Sequence, residues 1–132
     1  MALLDTNAIS DLIRDHPQIK AKIAAYPDPI VSSVIAVGEV RYGLERLPSG
    51  KKRKDLESRA QLILTAIRIE PISEPIADSY GTLKASLEAK GLILGDSDLW
   101  IAATAIARGY TLISRDQFFS NISNLAVEDW TI

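Results

Sequence analysis

Residues 95–116 read GDSDLWIAATAIARGYTLISRD, and the order of events in this run decides the fold class. Gly95-Asp96-Ser97 opens a helix, with Asp96 or Ser97 as a good N-cap. The ten residues after Asp98 are almost wholly apolar, and a helix that is apolar all round is a buried one. The pattern predicts that helix over Asp98–Ala107, stopped by Arg108-Gly109. A short strand follows at once over residues 110–114, and Arg115-Asp116 lies just past its end. A buried helix delivered straight into a strand is the repeating unit of a layered α/β domain.

The same alternation extends outward in both directions. On the C-terminal side, residues 125–128 form a last edge strand, closed by Trp130. On the N-terminal side, Ser73 caps a helix that runs to about Lys90, with Gly91 as its stop. Residues 67–72 alternate as a strand, and a helix with a polar first half covers Lys51 to Ala66 after the turn Pro48-Ser49-Gly50. Residues 30–33 form a strand, and Ser32 or Ser33 caps the helix that follows to about Leu47. That helix carries Val37, Val40, Leu44 and Leu47 at helical spacing. Pro27-Asp28-Pro29 is a break preceded by a short helix over 18–26. His16-Pro17 ends a first helix, Ala8 to Arg14, capped by Asn7. Residues 2–5 are a buried strand that ends on Asp5. With no repeat, linker or low-complexity segment, the expectation is one domain, 1–132, built on a central, mostly parallel sheet.

Composition narrows the chemistry. The chain has 132 residues, 47% of them hydrophobic, and no cysteine, so disulfides, thiolate zinc sites and cysteine nucleophiles are excluded. Absence of cysteine fits a reducing cytosol. No apolar run approaches the ~20 residues that span a bilayer, and no basic-then-apolar leader follows Met1; a cytoplasmic location without membrane contact is expected. His16 is the single histidine, which excludes a two-histidine mechanism within one chain. Lys plus Arg total 15 against 17 for Asp plus Glu, a net charge of −2. An overall basic field for nucleic acid is therefore missing, and any positive charge for RNA must be local or come from a metal. Neither a G-x-S-x-G elbow, a P-loop nor a G-x-G-x-x-G is present.

Four acids fall at one rim. Ligands bind beyond the carboxyl ends of strands in open parallel sheets. Asp5 ends the first strand and Asp116 follows the strand of residues 110–114. Asp98 opens the buried helix that enters that strand, and Glu39 lies in the helix after the second strand. A carboxylate at the mouth of a buried helix is costly unless compensated; the helix N-terminus returns only about 0.3–1 kcal/mol. Glu39 has Ile35, Ala36, Tyr42 and Gly43 as helical neighbours, again a partly apolar face. Converging carboxylates raise one another's pKa, and a divalent cation reverses that penalty. Oxygen ligands without His or Cys favour Mg²⁺ or Mn²⁺ over zinc. Each acid alone has an ordinary reading as a turn, cap or solvated helix residue; their joint placement carries the case. His16 reads as a loop residue, Trp100 and Trp130 as core, and Lys51-Lys52-Arg53-Lys54 as a solvated helix start that could also contact phosphates.

With these residues assembled, the chain resembles the PIN-domain family and, within it, the VapC-type toxins of toxin–antitoxin pairs. Leu3-Leu4-Asp5-Thr6-Asn7, Val31-Ser32-Ser33 through Gly38-Glu39-Val40-Arg41-Tyr42-Gly43, the helix from Asp98, and Gly109 through Ser114-Arg115-Asp116 look like its four acidic motifs in order. Asn124 through Trp130 is similar to its common ending. The resemblance implies a three-layer α/β domain and an Mg²⁺-dependent endoribonuclease (Mn²⁺ able to substitute), with Asp5, Glu39, Asp98 and Asp116 catalytic. Asp5 and Asp98 would hold the ion, and Asn7 and Ser114 would support it. It further implies an RNA substrate, with tRNA suggested by analogy, a homodimer, and a cognate antitoxin that covers the cleft. Asp98 rather than Asp96 is assigned because the apolar run follows it at the family's spacing. Two rivals remain: a non-catalytic PIN-like binding module, and an α/β phosphatase, which would want a second Asp where Asn7 stands.

Overall fold

The computed structural model describes residues 1–132 and contains five strands: β1 (Ala2–Leu4), β2 (Ile30–Ser33), β3 (Arg68–Glu70), β4 (Thr111–Ile113) and β5 (Val127–Glu128). Their order across the sheet is β3-β2-β1-β4-β5, and every neighbouring pair is parallel. β1 is central, with Leu3 paired to Val31 on one side and Leu112 on the other. All three of its residues are fully buried, as expected of a strand covered by helices on both faces, which reads as a continuous apolar run rather than an alternating one.

Six helices connect the strands: α1 (Thr6–Ile13), α2 (Pro17–Ala25), α3 (Val34–Glu45), α4 (Lys51–Ala66), α5 (Glu74–Ala89) and α6 (Asp96–Arg108). The layered α/β expectation holds, and α4 has the bounds its sequence predicts. In α6, Leu99, Ile101, Ala102, Ala103, Thr104 and Ala105 are buried; a side chain such as Ile101 contributes about 1.5–3 kcal/mol on leaving water. The Thr104 hydroxyl donates to the Trp100 carbonyl (2.8 Å), so the one polar group there is satisfied. Gly109 ends α6 at φ +69°, a left-handed conformation that favours glycine.

Several element boundaries differ from expectation, each for a local reason. The cap of α1 is Asp5, not Asn7, because an Asp5 carboxylate oxygen accepts the Ala8 N–H (2.8 Å); the helix therefore begins at Thr6. Gly95 stands at the N-cap of α6, so Asp96 and Ser97 are first-turn residues and Asp98 sits in that turn as well. His16 is no bare loop residue: its ring Nδ1 accepts the Ile19 N–H (3.5 Å) and caps α2, after a break at Asp15 (φ +61°). Ser33, not Ser32, caps α3 (Ile35 N–H to Oγ, 3.1 Å), while the Ser32 hydroxyl donates to the Leu4 carbonyl (2.8 Å). Ser73 holds the cap position of α5, but its buried hydroxyl has no partner. Residues 117–121 form a 3₁₀ turn that the sequence pattern does not announce. Trp130 is core; Trp100 is half-buried and stacks on Tyr80, ring centroids 3.8 Å apart. No helix is long and apolar enough to cross a membrane.

Candidate active site

The rim beyond the carboxyl ends of β1, β2 and β4 carries the acids. Asp5 follows β1 directly, its backbone N–H bonded to the Ile113 carbonyl (3.1 Å). It is only 4% exposed. Thr6, the next residue, donates its hydroxyl to Glu39 Oε1 (2.6 Å) and so ties the start of α1 to α3. Ser114 is buried at the end of β4; its hydroxyl oxygen accepts the Asp116 N–H (3.1 Å), and the hydroxyl also acts on the Asp5 carboxylate. Asp116, exposed, caps the 3₁₀ turn through the Phe118 N–H (2.9 Å).

The electrostatics show which of these groups share one neighbourhood. Burial pushes the Asp5 carboxyl up to about 6, against hydrogen bonds from Ser114 and the Ala8 N–H and the charge of Arg115, and with help from the charge of Asp98. Asp98 is also raised, first by burial and then by the negative charges of Glu39 and Asp116. Asp98 is thus the hub through which all four acids sense one another. Asp96 turns elsewhere: it accepts the Tyr80 hydroxyl (2.6 Å) and faces Lys84 on α5.

Of the expected supporting residues, Ser114 reaches Asp5, whereas Asn7 lies exposed on the first turn of α1. Thr6 reaches Glu39 from that turn instead. No local sequence signal singled Thr6 out. Arg115 is a second residue the sequence left unassigned: it lies 3.6 Å from Asp11 and lowers the Asp5 carboxyl.

The donor set is oxygen only. No three His, Asp or Glu side chains are drawn close enough to chelate one ion between them; one oxygen each of Asp5, Glu39 and Asp116 is engaged by Ala8, Thr6 and Phe118. Mg²⁺ keeps several waters and needs only one or two carboxylates. Asp5, buried, and Asp98, half-buried, supply the two carboxylates that the chemistry of such an ion asks for.

A second buried carboxylate, Glu70 at the end of β3, is built in the opposite way. Its Oε1 accepts the Tyr110 hydroxyl and lies 3.2 Å from Arg68 and 3.4 Å from Arg108. Burial pushes it up, but Tyr110, Arg108 and Arg68 more than offset that and hold the carboxyl below its ordinary value. None of the rim acids takes part.

The sequence pattern of the PIN domain matches residues 2–125. Ribonuclease VapC2 of Rickettsia felis is 34% identical over 132 residues, covering 97% of this chain and 96% of its own. Toxin FitB of Neisseria gonorrhoeae is 36% identical over 124 residues, 88% of each chain. Among solved structures, VapBC2 from Rickettsia felis bound to a DNA fragment from their promoter superposes with a TM-score of 0.87 at 33% identity, over 98% of both chains.

Proposed function

The chain belongs to the PIN-domain family, and on that premise we propose that it is a divalent-metal-dependent endoribonuclease, the toxin of a toxin–antitoxin pair. The observation that carries the reading is Asp98: a half-buried carboxylate whose charge is opposed by Glu39 and Asp116 and which in turn opposes Asp5. A chain that keeps such repulsion at the mouth of a buried helix has a use for a cation there.

Asp5 and Asp98 would hold Mg²⁺, or Mn²⁺ in its place, and the bound ion would polarise a water and stabilise charge on the phosphate. Glu39, oriented by the Thr6 hydroxyl, would accept that water's proton. Ser114 steadies Asp5, and Asp116 adds the fourth charge at the rim. The substrate class is RNA, with tRNA the first candidate to assay. The partners are a second copy of the chain and an antitoxin protein; the relative from Rickettsia felis was solved as a VapBC2 assembly on DNA.

The test is cleavage of RNA by the purified protein with Mg²⁺, with EDTA, and with Asp98→Asn. Cleavage is expected in the first condition alone. Unchanged cleavage in EDTA would overturn the metal mechanism, and binding without any cleavage would favour the non-catalytic module.

A further inference from the structure

A protein of net charge −2 with four acids at one rim has to bring a polyanion to that rim, and phosphate contacts by Lys and Arg are the general means. Residues 41–54, which join α3 to α4, hold six cations and one acid, Glu45; the other residues together carry −7. Arg53 is the internal clamp of this corner. It pairs with Glu45 (2.9 Å) and Glu57 (3.0 Å) and donates to the Glu45 and Leu47 carbonyls. It pairs with two acids of this corner and leaves Arg41, Arg46, Lys51, Lys52 and Lys54 exposed, none of them in an ion pair; Asp55, beside Lys54, is exposed as well.

An aromatic ring sits within this positive surface. Tyr42 is 64% exposed, and the Arg46 guanidinium lies over its ring, 5.4 Å from the centroid. Unstacked RNA bases bind on such exposed rings, with arginine adding to the face. The corner and the rim share α3. Tyr42 and Gly43 follow Glu39 by three and four residues, on one stripe of α3, and Glu39 lines a groove with Ser10, Arg14, Gly43 and, from α4, Leu56.

We propose that the α3–α4 corner is the surface that carries the phosphate backbone of the RNA, with Lys51, Lys52 and Lys54 as phosphate contacts and Tyr42 as the stacking platform nearest Glu39. This rests on the nuclease reading and names where its substrate lies.

The experiment measures single-stranded RNA binding to Asp98→Asn protein over a range of salt. Two double reversals are compared: Lys52→Glu with Lys54→Glu in the corner, and Lys84→Glu with Lys90→Glu on α5. Both change the net charge equally, and the α5 pair in addition removes the Lys84–Asp96 ion pair. The corner pair is expected to weaken binding at least tenfold and to flatten the salt dependence by about one unit of slope or more; the α5 pair should change affinity less than twofold. Tyr42→Ala should weaken binding with the slope kept. Should the reversed corner disturb folding by circular dichroism, Lys52→Gln with Lys54→Gln replaces it, with a smaller loss expected in the same direction.

Equal weakening by both pairs, or an unchanged affinity in the corner variant, overturns the proposal. So does loss of binding to an antitoxin alone, which would reassign the corner to a protein partner. RNA that is cleaved by wild type yet binds the corner variant normally sinks this proposal and leaves the nuclease reading standing. A wild type that cleaves nothing sinks the nuclease reading, while the binding comparison still decides whether the corner holds RNA.

Discussion

Asp5 and Glu70 are both buried carboxylates at strand ends, 4% and 5% exposed, yet their surroundings push them in opposite directions. Glu70 has two arginines and a tyrosine hydroxyl, and its charged form is favoured. Asp5 has two hydrogen-bond donors and one arginine, set against burial and the charge of Asp98, and its carboxyl rises to about 6. The same fold therefore knows how to neutralise a buried acid and does not do so at the rim. Buried charge left short of compensation is a stability cost, and sites with perturbed carboxyls are where function concentrates. The charged form of Glu70 is compensated where it sits; that of Asp5 is not.

The contrast can be broken most severely through activity. Asp5→Asn should lower RNA cleavage by about 10³-fold, within the range for loss of an acid–base or metal-holding group. Glu70→Gln should leave the rate within about twofold, measured on protein shown to be folded. Equal losses would mean that the two acids do not differ in kind.

Stability should move the other way. Asp5 titrates near 6 in the folded chain, above its ordinary 3.8, so folding is favoured at low pH and loses support as pH rises through about 4 to 6. Asn keeps the cap and avoids that loss. Asp5→Asn should therefore be more stable than wild type at pH 7 by up to about 3 kcal/mol, and the gain should vanish by pH 4, as read from urea midpoints. Glu70→Gln should instead destabilise at pH 7 by about 1–3 kcal/mol. Because the folded Glu70 carboxyl is lowered, its contribution is present above about 4.5 and fades as pH falls. Tyr110→Phe removes one hydrogen bond to Glu70 and should cost about 1 kcal/mol, the smallest of these effects.

The two regions also differ in how far the sequence reveals them. Asp5, Asp98 and Asp116 stand out because each follows a strand end or lies in the opening turn of a helix, and those places leave local signals; Glu39, in the middle of α3, stands out only by its partly apolar neighbours. The long helix α4 and the run into β4 are legible for the same reason. Glu70 is not. Within Arg68-Ile69-Glu70 it reads as one position of an alternating strand, and its main partner, Tyr110, is 40 residues away in sequence. Thr6 escapes notice because its partner, Glu39, is 33 residues distant. The cap of α1 is hard to place from sequence for a different reason: Asp5 both ends β1 and caps the helix, while Asn7 beside it is an equally good cap residue.

The most direct measurement is the titration of the Asp5 carboxyl by carbon NMR, without metal and with Mg²⁺, in wild type and in Asp98→Asn. Metal-free wild type should titrate near 6, Mg²⁺ should bring the value well below that, and Asp98→Asn should blunt the metal's effect. An Asp5 that titrates in the ordinary carboxylate range without metal, or that ignores Mg²⁺ at concentrations that support cleavage, would contradict the account.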